Sequence, residues 1–63
     1  MLDENANIQA LRRYISELGL TRQEVASLLR VHERTVYRWL SGERPVDGAA
    51  LLALQLAVKL RSI

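Results

Sequence analysis

Arginine side chains carry most of the chemistry that this sequence offers. The 63 residues include eight arginines and one lysine, and five of the arginines fall between positions 22 and 44. A guanidinium group is a planar fork of donors that matches guanine edges and phosphates, whereas an ammonium group is a point charge. Together with a sequence pI of about 9.7, this bias favours a nucleic-acid ligand. A genome rich in arginine codons would produce the same bias.

Arg34 and Arg38 lie one turn apart in a short segment that we predict to be helical. Val36 and Trp39 are expected to hold this segment against a core, so the positions out of phase with them face outward. Each arginine could donate two hydrogen bonds to guanine O6 and N7, worth about 1–3 kcal/mol of discrimination, or could hold a phosphate. The outward positions are Glu33, Arg34, Thr35, Tyr37 and Arg38.

Glu33 has two possible roles at the start of this segment. Its carboxylate could accept a hydrogen bond from cytosine N4, or it could merely complement the helix dipole in the first turn. The predicted base-reading residues are Glu33, Arg34 and Arg38.

Candidate phosphate contacts flank the same segment. Thr21 and Arg22 stand at the predicted start of the preceding helix, where free N–H groups attract anions. Arg44, in the loop that follows, could hold a further phosphate or be simply solvated. Tyr14 and Tyr37 could each bond a phosphate or cover the edge of the core. The predicted phosphate contacts are Thr21, Arg22, Thr35, Tyr37 and Arg44.

Composition limits the class of protein. Hydrophobic residues make up 49% and charged residues 25% of the chain, as in a folded globular protein, and the length predicts a single domain over positions 1–63. One histidine, no cysteine and scattered acidic residues offer no catalytic or metal-binding constellation. We therefore expect no enzymatic activity, no cofactor and no small-molecule ligand. The lack of a long apolar run and the acidic N-terminus predict a soluble, cytoplasmic protein.

Local signals predict the first two helices. Apolar residues with helical spacing define a first helix from about Glu4 to Leu18, with Asp3 as its N-cap and Gly19 in a left-handed conformation after it. Thr21 opens the second helix, and Glu24 completes a capping box with it. The expected inner face of the second helix consists of Val25, Ala26, Leu28 and Leu29.

A bend over residues 30–32 leads into a third helix over about 33–40, which is expected to bury Val36, Trp39 and Leu40. Asp47 is the predicted N-cap of a last helix from about Gly48 to Arg61. Alternating apolar residues in that last segment also fit a half-buried strand. Its length, its Ala and Leu content and the absence of a second strand to pair with it favour a helix.

The last helix carries more apolar residues than one core-facing stripe requires. One stripe is expected to bury in the core, and the second to form a homodimer interface, because surplus apolar surface often marks a contact. Alternatively, a small protein could enclose this helix on both sides. The first stripe consists of Ala49, Leu52, Ala53, Leu56 and Leu60, and the predicted dimer interface consists of Leu51, Leu54 and Val58.

Five short segments follow a recurring pattern: Leu20-Thr21, Val25-Ala26, Val31-His32, residues 35–39 and Ser41-Gly42. With these segments, residues 8–60 resemble the helix-turn-helix domain of the Xre and Cro/C1-type repressors, which are phage and bacterial transcription regulators. The resemblance implies an all-α, lambda-repressor-like fold of four or five helices, with helix three as the recognition helix. It also implies that Glu33, Arg34 and Arg38 read bases, and that Ala26 lets the two helices of the motif approach closely.

Three residues depart from the pattern of these repressors. Arg22 stands where glutamine is common, and His32 is an N-cap where serine or threonine is better. Arg30 occupies a turn position that usually holds glycine, and a positive φ there would cost about 1 kcal/mol relative to glycine. The fifth helix is missing or very short, so a dimer would have to be built from helix four.

Taken together, these features predict a regulator, most simply a repressor, that binds double-stranded DNA as a homodimer through helix three in the major groove. Two alternatives use the same fold. One is a protein-interaction adaptor that binds a partner through helix four. The other is a phage packaging or recombination subunit, in which DNA contact positions machinery.

Overall fold

Four α-helices make up the regular structure of residues 4–61, the part of the chain that the computed structural model describes. They are α1 (Glu4–Leu18), α2 (Arg22–Leu29), α3 (Glu33–Ser41) and α4 (Gly48–Arg61), and this range contains no strand. The all-α prediction is therefore confirmed, including the helical reading of the last segment. The predicted N-cap Asp3 lies outside the described residues.

The ends of α1 and α2 follow from local hydrogen bonding. Gly19 has a φ of 66°, and its N–H donates to the carbonyl of Ser16 at 3.1 Å, which ends α1. Thr21 Oγ1 accepts from the Glu24 N–H at 3.1 Å, and the Glu24 carboxylate accepts from the Thr21 N–H at 2.8 Å. The predicted capping box is confirmed.

The turn between α2 and α3 is built around Arg30, whose φ of 58° and ψ of 43° are left-handed. Its N–H donates to the carbonyl of Ser27 at 3.2 Å, and the Val31 N–H donates to the carbonyl of Ala26 at 3.0 Å. This pair of bonds is a Schellman motif, in which glycine usually takes the place of Arg30. His32 then caps α3, because its Nδ1 accepts from the Arg34 N–H at 3.1 Å. The N-cap position of His32 was predicted correctly, and the positive φ considered for Arg30 is present.

One core receives side chains from all four helices. Its fully buried members are Leu11, Val25, Val36 and Leu54, each from a different helix. The helix α1 packs on α3 and α4, and α2 packs on α3. Glu4 fastens the loop before α4, since its carboxylate accepts from the Val46 N–H at 2.7 Å. Leu28, expected on the inner face of α2, is exposed, so that expectation is wrong.

The two apolar stripes of α4 lie in the opposite environments to those predicted. Leu54 is 0% exposed, and it lies in the same core cluster as Leu11 of α1. It therefore cannot belong to an exposed dimer interface, and Leu51 and Val58 beside it are only half-exposed. The stripe assigned to the core points outward instead. Helical periodicity shows which residues share a face, but the docking of α4 on α1 decides which face is buried.

Within residues 4–61, no helix is both long enough and apolar enough to cross a lipid bilayer.

Candidate nucleic-acid interface

The helix α3 has one side in the core and the other in solvent. Val36 and Trp39 are buried and hold it against the other helices. Arg34 lies on the opposite side and is exposed, as is Tyr37. Arg38, one turn beyond Arg34, is half-buried. The buried anchors therefore present a short, polar helix surface to any ligand that approaches from outside.

Arg34 and Arg38 differ in their partners. Within residues 4–61 the guanidinium group of Arg34 has no hydrogen bond or ion pair, and only its backbone N–H is engaged. Arg38 Nε forms an ion pair with Glu43 Oε2 at 3.2 Å, and these side chains are 36% and 62% exposed. Such exposed pairs are worth about 0–1 kcal/mol. The Arg34 guanidinium group can therefore donate hydrogen bonds to a ligand directly, whereas Arg38 must first give up its weak ion pair with Glu43.

Arg22 connects the start of α2 to the start of α3. Its Nε lies 3.2 Å from Glu33 Oε2, and its guanidinium carbon lies 5.3 Å from the centre of the Tyr37 ring. With His32 and Arg34, these side chains line an open depression of about 310 Å³. Both contacts are exposed and individually weak, and together they favour a position of the arginine over the outer surface of the motif.

The predictions made for these residues separately did not include this cluster. No local sequence signal indicates it, because eleven positions separate Arg22 from Glu33. Only the packing of α2 on α3 brings the two side chains together.

The other predicted phosphate contacts lie around this cluster. Thr21 precedes Arg22, and its hydroxyl oxygen accepts the capping bond while its proton stays available to an anion. Thr35 is half-buried on the flank of α3. Arg44 lies at the far end, in the exposed loop after α3, and its backbone N–H donates to the carbonyl of Arg38 at 3.2 Å. The residues therefore border both ends of α3.

Within the described part of the chain, two of the four arginines on this surface are paired with acidic side chains, and two are not. Glu33 and Glu43 are each paired with an arginine of the same surface. Arg34 and Arg44 have no acidic partner among residues 4–61. Two uncompensated guanidinium groups therefore stand at the two ends of α3. In the same range no three histidine, cysteine or acidic side chains come together in a way that could hold a metal ion.

Comparison with known families identifies the fold. The sequence model for the homeodomain-like domain matches residues 2–44, about two thirds of the chain. The chain belongs to the homeodomain-like domain family. The matched span contains α1, α2 and α3, so the helix-turn-helix lies inside the homeodomain-like region and α4 follows it. No curated protein and no solved structure matches the chain.

A homeodomain-like helix-turn-helix indicates DNA binding, and families of this kind are typically non-enzymatic. The match is to this helix-turn-helix family and does not single out the Xre or Cro/C1 repressors.

Proposed function

We propose that the protein is a transcriptional regulator that reads double-stranded DNA with α3 in the major groove and acts by repression. The whole chain, residues 1–63, would serve as one DNA-binding domain. The observation that carries the proposal is the orientation of Arg34, which projects from α3 on the side opposite the buried anchors Val36 and Trp39.

The width of the major groove admits one α-helix, and arginine is the side chain that most often reads guanine there. Arg34 stands near the N-terminus of α3, the part of a recognition helix that contacts base edges in helix-turn-helix proteins. Arg38 lies one turn further along and provides a second candidate donor. Glu33 is already engaged by Arg22, which favours a bracing role for it over a base contact.

Phosphate contacts would hold α3 in register. Arg22, which contacts Glu33 and Tyr37, lies at the N-terminus of α2, where the helix dipole also attracts an anion. Arg44 lies beyond the other end of α3. Contacts at both ends of the recognition helix would fix its position along the duplex without reading sequence.

Repression is the output that demands least from a single helix-turn-helix domain. A regulator that only occupies a promoter needs no surface for recruiting other machinery. The resemblance of residues 8–60 to Cro/C1-type repressors supports the same role.

The test starts with selection of binding sites from a random duplex library. We expect an enriched motif and a log-log plot of affinity against salt that falls by about 0.9 per phosphate neutralised. A protein that enriches no sequence and shows a flat salt plot would refute the proposal and favour the adaptor function.

Matched arginine variants then separate base reading from phosphate contact. Arg34→Ala should lose about 1–3 kcal/mol of discrimination at one base pair. Arg44→Ala should weaken all sequences alike and reduce the salt slope by about 1. Arg13→Ala removes the same charge from the exposed side of α1 and should leave base preference unchanged. Equal effects of Arg34→Ala and Arg44→Ala would remove base reading from Arg34.

A further inference from the structure

The outward side of α4 is an apolar strip that no other part of residues 4–61 covers. Leu52, Leu56 and Leu60 are 57%, 51% and 71% exposed, and they follow each other at intervals of four residues. Ala49 and Ala53 lie beside them and are also exposed. These five residues, here called the outer face of α4, contain no charged group.

An open groove adjoins the first half of this face. It has a volume of about 280 Å³ and runs between α4 and the end of α2. Its apolar lining includes Trp39, Leu28, Ala49 and Ala53, and the charged residues Arg30 and Asp47 also line it. Leu28 is more than half exposed, so the apolar surface extends from α4 onto α2.

Side-chain size is graded along the outer face. The first half carries the small residues Ala49 and Ala53 together with Leu52, whereas the second half carries only the large residues Leu56 and Leu60. A two-fold axis near the middle of α4 would place the large half of one copy against the small half of another. A parallel arrangement would instead oppose leucine to leucine and alanine to alanine. The face and its groove are thus complementary to themselves in the antiparallel sense, as an isologous contact requires.

We propose that the outer face of α4 pairs with the same face of a second copy in an antiparallel, two-fold arrangement. Leu60 of each subunit would enter the groove beside Ala49 of the other, and Leu56 would cover Ala53. The interface differs from the one predicted from sequence, and its role on DNA rests on the proposed function.

The charges at the two ends of α4 favour an antiparallel over a parallel orientation. Asp47 lies at the N-terminal end of α4 and lines the groove together with Arg30, whereas Lys59 lies in the last turn of α4. In the antiparallel pair, each Lys59 comes close to Asp47 of the other subunit. A parallel pair would bring like charges together at both ends.

The small size of the face predicts a weak pair. A helix of 14 residues is about 21 Å long and about 10 Å wide, which covers on the order of 200 Å² in projection. A standard interface buries about 800 Å² per partner. Two copies should therefore pair little in dilute solution, and pair on DNA, where adjacent half-sites raise the effective concentration to the order of millimolar.

Cooperative binding tests the proposal on DNA. Probes carry one or two copies of the selected half-site, and we expect the wild type to bind the double site at least about tenfold more tightly than two independent sites would allow. Leu56→Glu should keep the single-site affinity and lose this cooperativity. Gln9→Glu makes a neutral-to-acidic change on the exposed side of α1 and should retain it. Cooperativity that survives in Leu56→Glu would overturn the proposal.

A second test needs no DNA. The natural chain contains no cysteine, so a single introduced thiol reports directly on self-association. Near the two-fold axis, Ala53→Cys should form an intermolecular disulfide at least about tenfold faster than Gln9→Cys at millimolar protein concentration. Equal rates would overturn the interface even if DNA binding is found. Fast crosslinking without DNA affinity would instead support the interface and refute the proposed function.

Discussion

Arg30 offers a direct test of the turn that sets α3 relative to α2. Its φ of 58° places a Cβ in the left-handed region, which costs an L-residue about 1–2 kcal/mol. Glycine removes that cost, but its unfolded chain has more conformational freedom, which lowers the free energy of unfolding by about 0.5–1 kcal/mol. Arg30→Gly should therefore be about 0.5–1 kcal/mol more stable than Arg30→Ala. Comparing these two variants cancels the loss of the arginine charge near the end of α2.

Thermal unfolding followed by circular dichroism provides the measurement. For a domain of this size, about 1 kcal/mol shifts the midpoint by about 4–8 °C, so Arg30→Gly should melt about 2–8 °C above Arg30→Ala. Ser27 supplies the control, since it is exposed within α2 only three residues earlier. There, in regular helix, the order should reverse, with Ser27→Gly about 1 kcal/mol less stable than Ser27→Ala.

The sign of the difference in stability between the Gly and Ala variants shows whether position 30 is left-handed in solution. If alanine is the more stable residue at both positions, Arg30 does not adopt a left-handed conformation in solution. The α2–α3 turn would then have a different geometry, and the surface assembled by Arg22, Glu33 and Tyr37 would lose its structural basis.

Two further predictions concern the core and the cap of α3. Leu54→Ala should destabilise the fold by about 2–5 kcal/mol because it opens a cavity, whereas Leu56→Ala should change stability by less than about 0.5 kcal/mol. Urea unfolding measures both variants. Equal losses of stability would contradict the observed burial of Leu54 and exposure of Leu56. His32→Ala should cost about 1 kcal/mol through loss of the bond to the Arg34 N–H, while His32→Asn, a better cap, should not. In the same unfolding assay, a fully stable His32→Ala would show that the cap does not matter.

Local signals predicted most of the helix boundaries. The Thr21–Glu24 capping box, the left-handed Gly19 and the caps at His32 and Asp47 each depend on residues within a few positions of one another. Interactions over one turn of chain are determined by the order of the residues alone. For the same reason, the outward position of Arg34 followed from the buried anchors Val36 and Trp39 on the same helix.

Predictions that depended on helix packing were less accurate. The interpretation of α4 found the two apolar stripes but assigned them to the wrong environments. Both stripes are hydrophobic, and the periodicity is the same for either orientation of the helix. The prediction that Leu28 is buried was wrong for a similar reason. Its spacing fits the inner face of α2, but no neighbouring helix covers that position.

The sequence by itself determined an all-helical chain with an arginine-bearing third helix, because capping, periodicity and the phase of α3 are properties of short segments. The tertiary structure alone decided which side of α4 is buried and which is exposed. It also placed Arg22 against Glu33 and over Tyr37. These relations join residues that are distant along the chain, and their distances depend on how the helices dock around Leu11, Val25, Val36 and Leu54.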